Sequence, residues 1–78
     1  MEIKILGIGC PNCKALYAIT QKAISELSLQ NITLTKEEDI LKIMEYNILG
    51  LPALVKDGKV ESAGKVLSLE EVKQILTR

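Results

Sequence analysis

The spacing of apolar residues changes along the chain and predicts a series of distinct secondary-structure elements. Residues Ile3–Leu6 form a run rich in isoleucine and leucine that ends at Gly7, which is typical of a short strand. From Cys13 to about Leu27, apolar residues recur every three to four positions, as in an amphipathic helix. Pro11 stands at the first position of this helix, where its missing N–H is not needed. The chain therefore begins with a strand, a short glycine loop and a long helix.

A second strand and a second helix are predicted in the middle of the chain. Residues Ile32–Thr35 alternate between apolar and polar, as expected of a half-buried strand. The acidic run Glu37–Asp39 suits the start of a helix, because negative charge stabilises the first helical turn. Apolar residues then continue at helical spacing, and this helix is expected to end near Tyr46–Leu49, with Gly50 beyond it.

The remainder of the chain predicts a hairpin and a final helix. The Asp57-Gly58 pair stands between the apolar runs Ala53–Val55 and Val60–Ala63, a strong signal for two antiparallel strands. Ser68, followed three residues later by Glu71, has the pattern of a capping box at a helix start. The predicted order is βαβαββα. It corresponds to an α/β fold with three helices on a four-stranded mixed sheet, because the crossover makes the first two strands parallel.

The two cysteines of the chain lie between the first strand and the first helix, in the segment Cys10-Pro11-Asn12-Cys13. Unpaired N–H groups and the positive end of the dipole at a helix N-terminus stabilise an anion, and so lower the pKa of a cysteine placed there. Lys14 adds a positive charge nearby. Since Cys13 follows Cys10 by three positions, both sulfurs are expected on one side of the first turn. One thiolate can then attack a foreign disulfide, and the other can resolve the mixed disulfide.

The composition restricts the class of protein. With 78 residues, the chain is long enough for one small domain, residues 1–78, and too short for a second. Ten basic residues balance ten acidic residues without a basic cluster, which argues against nucleic acid or a membrane surface as the partner. Neither a secretory signal nor a run of transmembrane length is recognisable, so a cytoplasmic location is expected. A reducing cytoplasm favours a cycling dithiol over a permanent disulfide.

Three segments give the chain a resemblance to a known family. They are Gly7–Lys14 with the two cysteines, Gly50–Leu54 with a proline, and Asp57–Gly64 with the hairpin turn. Over nearly its whole length the chain resembles the small thioredoxin-like proteins of bacteria and archaea, also called redox-active disulfide proteins. The resemblance implies a minimal thioredoxin fold of the glutaredoxin type, in agreement with a Cys-x-x-Cys motif beside a strand–helix–strand pattern.

The resemblance also implies a role for each matching residue. Cys10 corresponds to the attacking nucleophile, Cys13 to the resolving thiol, and Pro52 to a cis proline packed against the pair. Leu51 precedes the proline, where many relatives have threonine or valine, and enlarges the apolar surface that contacts a substrate. The implied activity is thiol-disulfide exchange that reduces protein disulfides. A separate reductase would serve as the electron donor, and no cofactor or metal is expected.

The chain departs from thioredoxins proper at the predicted active site. Gly9 stands where thioredoxins have a tryptophan, and no residue is an evident counterpart of the buried acid beneath their cysteines. The chain also contains no histidine. Helix-end electrostatics are therefore expected to account for most of the activation of Cys10.

Other functions also fit the cysteine pair. A Gly-x-Gly-Cys-x-x-Cys segment before an amphipathic helix resembles the thiolate loop of small copper chaperones, which bind a soft monovalent metal. Those chaperones have the order βαββαβ and end in a strand, whereas the present chain is predicted to end in a capped helix. A zinc site would need ligands from a second chain, because two cysteines supply half of a tetrahedral set. A third reading is an interaction domain that keeps the fold without catalysis.

Overall fold

The elements of the computed structural model, which describes all of residues 1–78, follow the predicted order. The strands and helices are β1 Glu2–Leu6, α1 Pro11–Glu26, β2 Thr33–Glu37, α2 Ile40–Met44, β3 Ala53–Lys56, β4 Lys59–Ala63 and α3 Leu69–Thr77. The predicted α/β class, the βαβαββα order and the four-stranded mixed sheet with three helices are confirmed. None of the three helices is both long enough and apolar enough to cross a membrane.

The segment between β2 and α2 differs from the prediction. The sequence pattern assigns Glu37 to the start of the second helix, but Glu37 is the last residue of β2 and pairs with Leu6 of β1. Of the acidic run, only Asp39 caps the helix: its Oδ1 accepts a hydrogen bond from the N–H of Leu41 at 2.9 Å. Helix α2 ends at Met44, earlier than predicted. The parallel ladder with β1 gives Glu37 its backbone partner, and this tertiary pairing outweighs local helix preference.

The sheet has the strand order β2-β1-β3-β4. Strand β1 is parallel to β2 and antiparallel to β3, and β3 is antiparallel to β4. Leu6, the last residue of β1, lies opposite Glu37 on one side and Ala53 on the other. The loop before α1, the segment after β2 and the loop before β3 therefore meet at one edge of the sheet. This edge brings the cysteine segment close to the loop that contains Pro52.

Apolar side chains pack on both faces of the sheet. The larger core, which includes residues of α1 and α3, consists of Ile3, Ile5, Leu16, Ala23, Leu54, Leu67, Val72, Ile75 and Leu76. The smaller core, which includes Ile43 of α2, consists of Leu6, Ile43, Ala53 and Val55. Successive strand residues point to opposite faces, and this alternation along β1 and β3 produces the two cores. Helices on both faces thus support the edge that carries the cysteines.

Polar contacts hold α3 against the rest of the fold. Lys73 Nζ donates a hydrogen bond to Glu26 Oε1 of α1 at 2.6 Å. This hydrogen bond is the main cause that lowers the pKa of Glu26 below its usual value. It is also the main cause that raises the pKa of Lys73. Lys56 Nζ of β3 donates to the carbonyl oxygens of Ile75 at 2.9 Å and Arg78 at 2.8 Å. Lys56 therefore satisfies carbonyl groups at the C-terminal end of α3 that have no partner within the helix.

The predicted capping box at the start of α3 is confirmed. The N–H of Glu71 donates to Ser68 Oγ at 3.2 Å, and the N–H of Ser68 donates to Glu71 Oε1 at 3.0 Å. The hydrogen bond from the Ser68 backbone is the largest cause that lowers the pKa of Glu71. The charge of Glu71 therefore contributes to the start of this helix.

Candidate active site

Cys10 is the N-cap of α1, where the chain changes from extended to helical backbone. Its φ of −71° and ψ of 162° are extended values, and Pro11 is the first helical residue, as predicted. The Sγ atom accepts a hydrogen bond from the N–H of Cys13 at 3.3 Å, and the Cys10 carbonyl accepts one from Lys14 at 3.1 Å. The first turn of α1 contains no acidic residue. The backbone N–H and the helix dipole therefore both favour a thiolate at Cys10.

Cys10 and Cys13 form a disulfide, and their Cα atoms are 5.2 Å apart. The two residues differ in exposure: Cys10 is half-buried, whereas Cys13 is only 6% exposed. This difference follows from their positions, because Cys10 lies at the end of the helix and Cys13 lies on the face that packs toward the sheet. An outside molecule therefore reaches the sulfur of Cys10 more easily than that of Cys13.

Gly7 forms the surface against which Cys13 packs. A Cβ atom on Gly7 would overlap the Sγ atom of Cys13, so a larger residue has no room at this position. Gly7 is buried, and its N–H donates to the carbonyl of Glu37 at 3.0 Å. In the sequence, Gly7 marks the end of a strand and belongs to the Gly7–Lys14 segment of the family resemblance, but neither observation indicates this contact. A glycine placed directly between a strand and a cysteine-bearing helix is the signal that could have indicated it.

A cavity of about 40 Å³ lies next to Cys13 and is bordered by the charged residues Lys14, Lys36 and Glu38. Lys36 is held over the aromatic ring of Tyr17, with its Nζ atom 4.5 Å from the ring centroid. The sequence pattern does not place Lys36 or Glu38 near the cysteines, because Lys36 lies in β2 and Glu38 directly follows it. They reach Cys13 only through the parallel pairing of β2 with β1.

The peptide bond between Leu51 and Pro52 is cis, which confirms the conformation implied by the family resemblance. Pro52 is buried, and its carbonyl accepts a hydrogen bond from the N–H of Gly64 at 2.9 Å. Gly50 also approaches Gly64, since a Cβ atom on Gly50 would lie 3.0 Å from the Gly64 Cα. Gly64 has a φ of 81°, a left-handed conformation that suits glycine. The loop before β3 is thus attached to the end of β4, at the sheet edge that carries the cysteines.

Apolar side chains are exposed on the loops around the cysteines. Ile8, in the loop before α1, is 60% exposed, and Leu49, in the loop before β3, is fully exposed. Leu51 is half-buried and packs against the smaller core. Exposed apolar groups next to a reactive sulfur suit contact with the surface of another protein.

The order of the elements separates the chain from the copper chaperones. Its last element is α3, a helix capped by Ser68, and not a strand. No group of three or more His, Cys, Asp or Glu side chains lies together as a multidentate metal site requires. Cys10 and Cys13 therefore have no third ligand of these types within their own chain.

Comparison with known proteins agrees with the fold and the cysteine geometry. A family model described as a thioredoxin domain matches residues 1–77. A thioredoxin from Methanothermobacter thermautotrophicus is 36% identical over 77 residues, which cover 99% of each chain. A thioredoxin from Methanocaldococcus jannaschii is 34% identical over 74 residues, which cover 95% of this chain and 84% of the relative. The chain thus belongs to the thioredoxin domain family and is a thioredoxin-type thiol-disulfide oxidoreductase.

Proposed function

We propose that the protein reduces disulfide bonds of other proteins, with Cys10 as the attacking thiolate and Cys13 as the resolving thiol. The difference in exposure between the two cysteines carries this proposal. Cys10 is half-buried at the helix cap, where a backbone N–H favours its thiolate, whereas Cys13 is 6% exposed. An attacking sulfur must reach another protein, but a resolving sulfur has to reach only its neighbour.

The proposed reaction has two steps. The Cys10 thiolate attacks one sulfur of the substrate disulfide, so that a bond between Cys10 and the substrate forms, the substrate S–S bond breaks, and the other sulfur leaves and takes a proton. Cys13 then loses its proton and attacks the Cys10 sulfur, which forms the Cys10–Cys13 disulfide and releases the second substrate thiol. Two electrons pass to the substrate, and the protein ends in the disulfide state present in this structure. A separate reductase returns the two electrons.

Leu51 and Pro52 contact the substrate in this proposal. Their loop enters the sheet at the edge where the cysteine segment leaves it, because Ala53 lies opposite Leu6. The apolar surface of Leu51 can pack against residues that flank a disulfide on a protein partner. The balanced charge of the chain agrees with a protein partner better than with nucleic acid or an anionic membrane.

The proposal assigns the activity to a single domain, residues 1–78, that works in the cytoplasm. The match of the family model to residues 1–77 supports one domain. A dithiol that cycles needs a compartment in which thiols are kept reduced, and the cytoplasm is such a compartment.

Thiol alkylation of the metal-free protein across a series of redox buffers tests the proposal, together with reduction of a disulfide-bonded protein substrate. A reversible two-electron transition and substrate reduction are expected, and Cys10→Ser should lack both. Absence of an intramolecular disulfide at every potential, with stoichiometric copper or zinc in the purified protein, would overturn the proposal in favour of a metal-binding module.

A further inference from the structure

We propose that the protein forms a homodimer through the outer face of α2, with the two copies related by a two-fold axis and their α2 helices antiparallel. This face, here called the α2 patch, consists of Ile40, Leu41 and Met44 of the helix and Leu49 of the loop after it. Ile40 is 50% exposed, Leu41 71% and Met44 65%, and Leu49 is fully exposed. Association through the α2 patch does not depend on the thiol chemistry of the proposed function.

Helix α2 is apolar on two adjacent faces. Ile43 is buried in the smaller core and attaches the helix to the sheet. At about 100° per residue, Ile40, Met44 and Leu41 fall within an arc of about 100° beside Ile43, and this arc is exposed. The outer face of a surface helix is normally polar. The apolar outer face of α2 therefore lacks the partner that would bury it.

The loop after α2 continues the patch. Tyr46, Ile48 and Leu51 of this loop pack against the smaller core, on the same face of the sheet that α2 covers. Leu49 lies between Ile48 and Leu51 but is fully exposed, so its side chain is directed away from this core. The helix and the loop thus present their exposed apolar side chains on one outer layer of the molecule.

The area of the α2 patch is close to what a dimer requires. Its four residues expose on the order of 600 Å², since each presents roughly 200 Å² in an extended chain. This area is at the upper end for the largest apolar patch of a monomeric protein. Two such patches would bury about 1,200 Å² together, which is the lower limit of a specific, stable interface.

The charges beside the patch are complementary to themselves. Lys42 and Glu45 are exposed, lie three positions apart, and stand on the flank of α2 away from Ile43. Neither side chain forms an ion pair within its own chain. In a two-fold interface, residue i of one copy contacts residue j of the other, and j contacts i. With antiparallel helices, Lys42 of each copy then faces Glu45 of the other, while Leu41 packs against Met44.

This self-complementarity favours a second copy of the chain over an unrelated protein as the occupant of the patch. The formal net charge is zero, so two copies experience no net repulsion. A parallel pair of helices would place the two Lys42–Glu45 flanks on opposite sides of the interface, where they cannot meet. The charges therefore select the antiparallel arrangement.

Sedimentation velocity of the oxidised protein at increasing concentration measures the association. The Cys10–Cys13 disulfide leaves no free thiol, so disulfides between chains cannot form. A reversible equilibrium between the 8.6 kDa monomer and a dimer of twice that mass is expected, with a micromolar dissociation constant. Leu41→Lys should raise this constant about tenfold or more. Ile8→Ser is the matched control, because it removes an exposed apolar side chain outside the patch, and it should change the constant less than about twofold.

A charge swap tests the antiparallel arrangement. Lys42→Glu and Glu45→Lys should each weaken the dimer about fivefold, because like charges then face each other. The double variant Lys42→Glu/Glu45→Lys restores opposite charges and should return the dissociation constant to within about twofold of the wild-type value. Unchanged circular dichroism shows that the variants keep the fold. A monomer at every concentration up to about 1 mM, equal weakening by Leu41→Lys and Ile8→Ser, or a double variant as weak as the single ones overturns the proposal.

Discussion

A Cβ atom at position 7 would overlap the sulfur of Cys13, so the buried cysteine and the end of β1 fit together only because residue 7 is glycine. The same atom would lie 2.7 Å from the Cβ of Cys13. The backbone of Gly7 is held in place by its hydrogen bond to the carbonyl of Glu37 at 3.0 Å. The side chain of the more buried cysteine therefore packs directly against the backbone that follows β1.

Gly7→Ala is expected to destabilise the protein by about 1–3 kcal/mol, because the added methyl group overpacks a buried site. Denaturant unfolding of the reduced protein measures this change. Cys13→Ala removes the sulfur, so the loss in Gly7→Ala/Cys13→Ala should be smaller than the sum of the single losses by at least about 0.5 kcal/mol. Strict additivity would contradict the contact.

Cys13→Ser is expected to trap protein partners as mixed disulfides through Cys10, because the second step cannot occur without the Cys13 sulfur. Non-reducing electrophoresis and mass spectrometry of the linked peptides identify the cysteine involved. Cys10→Ser should trap no partner and should abolish activity. Partners trapped through Cys13 would reverse the two roles.

Leu51→Ala is expected to raise the KM for a protein disulfide about fivefold. The substrate would cover about half of the leucine side chain, and losing that contact costs about 1 kcal/mol of binding free energy. Steady-state reduction of a disulfide-bonded protein measures the KM. Leu29→Ala is the control, because Leu29 is also half-buried but packs against the larger core. An equal KM in both variants would show that Leu51 does not contribute to substrate binding.

Lys56→Met is expected to lower the free energy of unfolding by about 1–3 kcal/mol, because carbonyl groups at the end of α3 lose a charged donor. Urea unfolding, followed by the loss of helical circular dichroism, gives this value. Lys59→Met removes the same charge from an exposed residue of the same hairpin and should change stability much less. Similar losses in both variants would argue for an effect of net charge.

Glu71→Gln should destabilise the protein near neutral pH and lose this effect in acid. The pKa of Glu71 in the folded protein lies below 4.5, mainly because of the hydrogen bond from the Ser68 backbone. A lowered pKa contributes stability above the unfolded value, and this contribution disappears as the pH falls through the folded value.

Thermal unfolding across the acidic range measures the difference between wild type and Glu71→Gln. Glutamine can still accept the hydrogen bond from the Ser68 backbone, so the comparison isolates the charge. Glu70→Gln removes a charge from the same turn without touching the capping box and serves as the control. A difference in melting temperature that stays constant as the pH falls would refute the prediction.

Features that depend on neighbouring residues could be predicted from the sequence. The proline after Cys10, the Asp57-Gly58 turn and the Ser68–Glu71 capping box each act within a few residues of the chain. Their geometry follows from backbone dihedral preferences and from hydrogen bonds between near neighbours. The order of the elements and the position of the cysteines at a helix N-terminus follow from these signals.

The surroundings of the cysteines depend on contacts between distant segments. Glu37 is a strand residue because β1 offers a backbone partner, and Glu38 borders the cavity beside Cys13 because of that same pairing. Gly7 matters because a helix residue packs against it. By itself, the sequence determined that two thiols stand at the N-terminal end of the first helix in a βαβαββα chain. Tertiary structure decided which groups face those thiols, because strand register and packing across the sheet are not specified by the pattern of any single segment.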